Sequence, residues 1–358
     1  MCLIYNEVGS LTSLLSKLKG EGITDFTTIY EISKFRNDYK LICEDVFLRH
    51  SKLISEEELK IKSEITNLTG ELEDQKVKIE FELNEKIEFL KNKLDILSRT
   101  KQAGFFFSIL IGVQKLIYQK ILHKQESRFA SKVYKSLIGI STLVDKKRAR
   151  YEYIRLSPDK ATQESAATDL ELLRKKLNKI NEFDSLIAGT YGEIAVVSEL
   201  KKLPDDFVLI NDFKYQFRKY IFDPSINEYV KSIQVDHVLI GPSGVFVIET
   251  KNWSSVSIRN IDMFSPVKQI RRAGFAMYKI LNNAIHHYSD LLHPHFWGNK
   301  KIPVRNIVVF VNEKPNEEFQ FVKLLAIQDL NNYIKYFTPC ISSEEVESVV
   351  RHLLRISD

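Results

Sequence analysis

Residues 234–251 constrain the fold of this chain more than any other stretch. They form two apolar runs on either side of residues 241–244 (Gly-Pro-Ser-Gly), a composition typical of paired strands joined by a tight turn. The only charged side chains in the two runs are Asp236, Glu249 and Lys251. The stretch therefore predicts a β-hairpin that carries two carboxylates and an amine among Val, Ile, Leu and Phe.

Counting outward from the turn gives the expected register of the hairpin. It places Asp236 opposite Glu249, and Gln234 opposite Lys251. Directly opposed residues share a sheet face, with Cβ atoms about 4.5–5.5 Å apart. Like charges at that separation repel, and their burial adds a desolvation cost. A divalent cation is the simplest compensation, whereas one bulge would turn Asp236 to the other face and remove the site.

The residue types at this position suit a hard cation such as Mg²⁺, or Mn²⁺ in its place, which takes carboxylate oxygens and keeps several waters. The backbone carbonyl of Thr250 offers a further oxygen. Strand alternation puts Lys251 on the face of Glu249, where its ammonium can stabilise an attacking hydroxide or an anionic transition state. The alternative is a solvated strand end, since an isolated D…ExK pattern is common in unrelated sequences.

Two flanking segments extend the candidate site. Upstream, residues 193–200 have helical periodicity that puts Glu193 on the core-facing stripe, and Gly192 leaves room for the sheet. Downstream, Ser265-Pro266 predicts the N-cap and first position of a helix that ends at Leu281. Its polar residues, which contact phosphate or form a solvated face, are Lys268, Gln269, Arg271, Arg272 and Lys279.

These motifs together resemble the nuclease-related domain, NERD, of the PD-(D/E)xK restriction-endonuclease-like superfamily. The resembling segments are Gly192-Glu193, Ile210-Asn-Asp212, Gln234-Val-Asp-His237, Gly244 to Trp253 and Ser265-Pro-Val-Lys-Gln269. The resemblance begins near Leu186 and extends to the C-terminus. It implies a metal-dependent nuclease fold in this half of the chain.

The resemblance also implies roles for single residues. The implied metal ligands are Asp236, Glu249 and Glu193, with the Thr250 carbonyl. The implied catalytic residues are these three carboxylates with Lys251 and Gln269. Gln269 matches the glutamine of the family's N-P-x-x-Q motif, in which this chain has Ser265 in place of asparagine. The nucleic-acid contacts are expected at Lys268, Arg271, Arg272 and Lys279.

The remaining segments of the C-terminal half complete an α/β domain, a mixed sheet flanked by helices. Residues 207–210 and 306–312 read as strands, the second apolar enough to be covered on both faces. Residues 342–354 read as a capped amphipathic helix. The histidines His286, His287, His293 and His295 match no metal-ligand spacing, so surface or DNA contact is favoured over a metal site.

The preceding region is predicted to be all-α, with domain boundaries at 1–50, 51–185 and 186–358. A heptad-spaced apolar seam runs through Ile61, Ile65, Leu68 and Leu72, and after a stutter through Ile79, Leu83, Ile87, Leu90, Leu94 and Leu97. Residues 170–183 are a candidate antiparallel return segment. An intramolecular hairpin, a coiled-coil homo-oligomer and a helical bundle all fit this pattern.

An apolar segment, residues 103–113, interrupts the helical region. It is well short of the roughly 18 residues of a transmembrane span. Lysines and arginines follow it, so residues 103–122 fit an interfacial membrane contact, but burial within the helical domain is favoured.

The global composition narrows the class of protein further. The net charge is +5 with a pI near 8.8, which is compatible with a nucleic-acid partner. Three cysteines without a motif, and an N-terminus without a signal peptide, favour a reducing cytoplasm. The leading hypothesis is a Mg²⁺-dependent deoxyribonuclease in DNA processing or defence against foreign DNA, whose coiled-coil arm oligomerises or recruits a protein partner. The alternatives are a non-cleaving nucleic-acid-binding module and a coiled-coil scaffold.

Overall fold

A computed structural model describes residues 1–100, 105–224, 226–253, 264–282 and 301–357. The chain divides into two compact units. One unit comprises residues 1–38 and 175–358, and the other comprises residues 39–174. The structure thus groups the first 38 residues with the C-terminal half, whereas the boundaries expected from the sequence set them apart.

The first unit is built on a six-stranded mixed sheet. In spatial order the strands are β1 (Leu3–Tyr5), β2 (Val208–Asp223), β3 (Glu228–Gly241), β4 (Gly244–Lys251), β5 (Val304–Phe310) and β6 (Val322–Ala326). Strands β2, β3 and β4 are antiparallel neighbours, and the remaining pairs are parallel. The predicted strands at 207–210 and 306–312 are therefore present, the first as part of a longer hairpin.

The helices follow in chain order. They are α1 (Gly9–Gly20), α2 (Ile29–Arg99), α3 (Phe105–Ser127), α4 (Phe129–Leu156), α5 (Pro158–Glu182), α6 (Asp184–Leu200), α7 (Phe264–Asn282), α8 (Leu330–Lys335) and α9 (Ser343–Ile356), with a short 3₁₀ turn at Ile327–Asp329. Helices α7 and α9 cover one face of the sheet, and α6 and α8 cover the other. The central strands are buried on both sides, which confirms the predicted α/β class.

The β3–β4 hairpin follows the predicted register only near its turn. Gly241 pairs with Gly244, and the ladder continues to His237 opposite Ile248. Gly244 has a φ of +115°, a conformation that residues with a Cβ rarely adopt. The β3–β4 ladder stops at the pair of His237 with Ile248, so the predicted pairs of Asp236 with Glu249 and of Gln234 with Lys251 do not form.

The pairing of β3 with β4 ends where the alternation of inward and outward side chains along β3 changes phase, beside Asp236. Val235 and Val238 both pack into the core under α7, although strict alternation would put them on opposite faces. The partner strand changes phase at the same level, where Asp212 has a left-handed φ of 49°. Asp212 falls opposite Asp236 in the β2–β3 register. A backbone kink at this level bends β3 away from β4 beyond His237.

Two helix boundaries also differ from expectation. Helix α6 begins at Asp184, so Gly192 lies within the helix and does not open it. Helix α7 begins at Phe264, so Ser265 occupies its first turn and is not the N-cap. The last helix matches its prediction, with Ser342 and Glu345 forming a capping box.

The second unit is an antiparallel arrangement of long helices. The heptad-spaced apolar residues of α2 are turned inward, with Ile61, Ile87 and Leu90 buried and the others partly buried. Ile61 packs with Ile154 and Ala161. Cross-helix ion pairs join Glu64 to Lys147, Glu57 to Arg150 and Lys91 to Glu126. The predicted return segment, 170–183, is therefore not the partner of this seam; α3 and α4 are.

Most apolar residues at the start of α3 are exposed, contrary to the prediction that this segment is buried within the helical domain. Phe106 is 85% exposed and Leu110 is 59% exposed. Among the residues that the structure describes, no helix is both long and apolar enough to cross a membrane.

Close packing of α6 on the end of β4 gives a test of the fold. A Cβ at Gly192 would lie 2.8 Å from the Cβ of Asn252, so Gly192→Ala is expected to destabilise the protein by about 1–3 kcal/mol. The matched control is Gly189→Ala in the same helix, where a Cβ meets nothing within 4 Å. It is expected to be neutral or stabilising by up to about 1 kcal/mol. Thermal unfolding measures both; equal effects would show that α6 does not approach β4 this closely.

Candidate active site

Four elements bring polar side chains together at one end of the sheet. Strand β4 ends in Glu249 and Lys251, and β3 supplies Asp236 where it leaves the ladder. Helix α6 contributes Glu193 and α7 contributes Gln269. The structure therefore gathers the predicted catalytic residues from separate parts of the chain.

Glu249 is the most buried of these carboxylates, with 3% of its surface exposed. One carboxylate oxygen accepts a hydrogen bond from the Lys251 ammonium at 2.6 Å. The other accepts one from the Gln269 side-chain amide at 3.1 Å. A buried carboxylate requires such partners because its desolvation is costly. Lys251 and Gln269 thus both act on the same acidic group.

Asp236 meets β4 through its side chain and not through the ladder. Its carboxylate accepts a hydrogen bond from the Thr250 N–H at 2.8 Å. Burial raises the pKa of Asp236 well above its usual range, and the negative charges of Glu249 and Glu193 raise it further. The Thr250 hydrogen bond and the Lys251 charge oppose this shift. Without a further positive charge, the Asp236 carboxylate is disfavoured in its ionised form.

The Thr250 carbonyl faces the same side as Asp236. In an extended strand, a residue's N–H and C=O point to the same neighbouring strand, and the Thr250 N–H points to Asp236. The next residue points the other way, because the Lys251 carbonyl accepts from the Val311 N–H at 3.1 Å. A carboxylate oxygen and a carbonyl oxygen are therefore available together, as a hard cation requires.

Glu193 approaches the same end of the sheet from α6. Its carboxylate accepts a hydrogen bond from the Ser10 N–H at 3.4 Å, at the start of α1. Burial raises the pKa of Glu193, the Ser10 hydrogen bond lowers it, and the charges of Asp212 and Glu249 raise it again. Within the described part of the chain, no three His, Cys, Asp or Glu side chains lie close enough to hold one metal ion together. The donor set that fits a cation is therefore Asp236, Glu249 and the Thr250 carbonyl, a set typical of Mg²⁺, which keeps several waters.

Asp212 is a further acidic residue of the site that sequence reasoning did not select. Its carboxylate accepts hydrogen bonds from the Lys214 ammonium at 2.6 Å and from the Gln234 amide at 2.8 Å. A Cβ at Gly9 would lie 2.5 Å from this carboxylate, so the start of α1 lies directly against it. The available signal was the Asn211-Asp212 pair after an apolar strand, since Asn and Asp tolerate left-handed backbone.

His237, next to Asp236, has a structural role. It is fully buried, and burial lowers its pKa to about 3, so it stays neutral. Its Nδ1 lies 2.8 Å from Oδ1 of Asn211, whose amide group donates to the Asn6 carbonyl at 3.0 Å. Since the Asn211 oxygen is the acceptor, the His237 Nδ1 is the donor. This chain of hydrogen bonds fixes the backbone next to Asp236.

Asn252 fixes the segment that follows Lys251. Its side-chain amide donates to the Ala188 carbonyl of α6 at 2.6 Å, and its oxygen accepts from the Asn312 amide at 2.7 Å. Trp253 packs edge-on against Phe310, with ring centroids 5.8 Å apart. The residues after the ExK pattern therefore connect β4 to α6 and to the end of β5.

The predicted basic contacts do not form one patch. Lys268 pairs with Glu228, and Arg272 donates to the Ser232 carbonyl at 3.3 Å. Lys268, Gln269 and Arg272 line a cleft between α7 and β3. Arg271 lines a different cleft, on the β6 side of α7, and Lys279 lies over the Phe275 ring. The four histidines between 286 and 295 lie outside the described residues.

Comparison with known protein families gives one match. A family model described as the nuclease-related domain, NERD, matches residues 188–311. This part of the chain is a nuclease-related domain, and a long helical region that includes α2 precedes it. No curated protein and no solved structure matches the chain.

The raised pKa of Asp236 predicts a stability effect. In the presence of a chelator near pH 7.5, Asp236→Asn is expected to stabilise the protein by on the order of 1 kcal/mol, or about 2–4 °C in Tm. The folded state binds the Asp236 proton more tightly than the unfolded state does. The advantage of the variant is therefore absent below the ordinary aspartate pKa and grows as pH rises towards the folded-state pKa.

Added Mg²⁺ or Mn²⁺ should reverse this order, because a cation that binds only the folded state raises the Tm of the wild type and not of the variant. Asp205→Asn is the control, since Asp205 is exposed. Two results together would contradict a cation site here. The wild-type Tm would not change with added Mg²⁺ or Mn²⁺, and the Tm of Asp236→Asn would equal that of the wild type.

Proposed function

We propose that the nuclease-related domain hydrolyses phosphodiester bonds in DNA with the help of Mg²⁺. The observation that carries the proposal is the convergence of Lys251 and Gln269 on the buried Glu249, beside an Asp236 whose ionised form requires a nearby positive charge. Buried acidic pairs of this kind cost stability, and functional sites are where such costs are retained.

Asp236, Glu249 and the Thr250 carbonyl would hold the cation. When bound, it lowers the pKa of a coordinated water and stabilises negative charge on a phosphoryl oxygen. Lys251 holds one oxygen of Glu249 and places a positive charge where the attacking group and the phosphate meet. Gln269 holds the other oxygen of Glu249, which fixes the orientation of the carboxylate.

Glu193 and the basic residues have supporting roles in this proposal. The raised pKa of Glu193 suits a group that accepts a hydrogen bond or a proton from water at the edge of the site. Lys268 and Arg272 share a cleft with Gln269 and are the best-placed residues to contact a DNA phosphate. Arg271 and Lys279 lie elsewhere on α7 and contact a more distant part of the same nucleic acid.

The test is cleavage of supercoiled, linear and single-stranded DNA with Mg²⁺, with Mn²⁺ and with a chelator. Asp236→Ala and Lys251→Ala are each expected to reduce the cleavage rate at least about 100-fold, because the first removes a cation ligand and the second removes the charge beside the reacting phosphate. Lys323→Ala is the matched control, since Lys323 is an exposed lysine on β6 and should retain full activity.

The same experiment separates the proposal from its main rival. A wild type that retards DNA on a gel with or without metal and leaves every substrate intact would show a non-cleaving binding module. Equal losses in Lys251→Ala and Lys323→Ala would trace activity to general charge and contradict the assigned role of Lys251.

A further inference from the structure

Helix α3 has two apolar sides, and only one of them is covered. The covered side follows heptad spacing through Ser108, Ile111, Lys115, Tyr118, Leu122 and Gln125, all of which are buried or partly buried. The opposite side exposes Phe106, Ile109, Leu110, Val113, Leu116 and Ile117, defined here as the outer apolar face. Half of a large apolar side chain is on the order of 80–100 Å², so this face amounts to several hundred Å², more than a monomer usually leaves open.

The charge beside this face is almost all of one sign. At about 100° per residue, Lys120 and Lys124 fall on the same side of α3 as Val113, two turns further along. Between residues 100 and 144 the only acidic residue is Glu126, and it pairs across the hairpin with Lys91 at 3.6 Å. The basic residues in that interval are Lys101, Lys115, Lys120, Lys124, Arg128, Lys132 and Lys135. The outer apolar face is therefore followed along α3 by a group of positively charged side chains.

The position of the face suits a shallow contact. It lies where α2 ends at Arg99 and α3 begins at Phe105, at the turn of the helical hairpin, so the apolar side chains come first and the lysines follow along the leg. An apolar end followed by lysines matches the order of layers from the bilayer interior outward, with acyl chains first and headgroups next. No helix in the described ranges can span a bilayer, so the contact would lie in the interfacial layer.

Charge also decides between the occupants that an apolar face can have. A second copy docked in parallel on the same face would bring Lys120 and Lys124 of one chain near those of the other, with no acidic residue of this side of α3 to pair with them. A nucleic acid would satisfy the lysines but would leave Phe106 and Leu110 in water. An anionic lipid surface satisfies both parts of the face.

We propose that the outer apolar face of α3, with the lysines that follow it, binds the surface of an anionic phospholipid bilayer. The apolar side chains enter the boundary between headgroups and acyl chains, and the lysines contact lipid phosphates. This contact is independent of the nuclease proposal, since it uses only residues of the helical unit. It would hold the protein at a membrane surface through an interfacial contact.

The test is flotation of the full-length protein with vesicles of phosphatidylcholine and phosphatidylglycerol in equal amounts, and with vesicles of phosphatidylcholine alone. The wild type should float with the anionic vesicles, at least tenfold more than with the neutral ones, and less at 500 mM than at 50 mM salt. Phe106→Ser combined with Leu110→Ser should abolish flotation, and Lys120→Glu combined with Lys124→Glu should reduce it at least tenfold. Leu59→Ser is the matched control, because Leu59 is an apolar residue of α2 that is 70% exposed, and it should float like the wild type.

Three results would overturn the proposal. One is a wild type that stays in the bottom fraction with both vesicle types. Another is flotation that survives in the Phe106→Ser, Leu110→Ser variant. The third is a fall in molar mass of that variant by light scattering, which would show that a second copy covers the face. Circular dichroism of each variant establishes that lost flotation does not come from unfolding.

Discussion

Much of the first unit is organised around the burial of two carboxylates at the end of one strand. Glu249 has only 3% of its surface exposed, and burial raises the pKa of Asp236 well above its usual range. Their burial requires donors, and two elements supply three of them: β4 through Lys251 and the Thr250 N–H, and α7 through Gln269. The β3–β4 ladder ends at His237, so the Thr250 N–H donates to the Asp236 carboxylate and not to the backbone of β3.

The N-terminal residues complete this arrangement, although the matched family domain spans only residues 188–311. Strand β1 pairs in parallel with β2, and the side chains of Asn6 and Asn211 each donate to the other's backbone carbonyl. The start of α1 then meets two acidic groups, through the Ser10 N–H on Glu193 and through the close contact of Gly9 with Asp212. Positive partial charge at a helix N-terminus stabilises such carboxylates. The electrostatics of the site thus depend on a segment in which Ser10 lies 183 residues from Glu193 in sequence.

Period-2 alternation and turn chemistry were enough to find the hairpin, its turn and the register as far as His237, because these depend on neighbouring residues. They could not reveal the phase change at Asp236, which arises from the left-handed backbone of Asp212 on the partner strand. The same limit applies to α3. Its apolar residues occupy both sides of the helix, and periodicity cannot tell which side a partner helix covers. The preference for burial was wrong for Phe106, Ile109 and Leu110, although Ile111 is buried, because apolar content was read without direction.

If the site binds a cation as proposed, the pairing of Lys251 with Glu249 would stabilise that carboxylate before the cation binds. In the described structure the ammonium supplies the positive charge that the carboxylate requires, at 2.6 Å. Lys251 remains 20% exposed, so its flexible stem allows the ammonium to move towards solvent and substrate when a cation takes over the carboxylate. Asp236 has no such partner, because its hydrogen bond comes from a neutral backbone amide. In the proposed function, Lys251 compensates the Glu249 carboxylate before a cation binds, and Asp236, whose pKa is raised by burial, is the acid that a bound cation would stabilise in its ionised form.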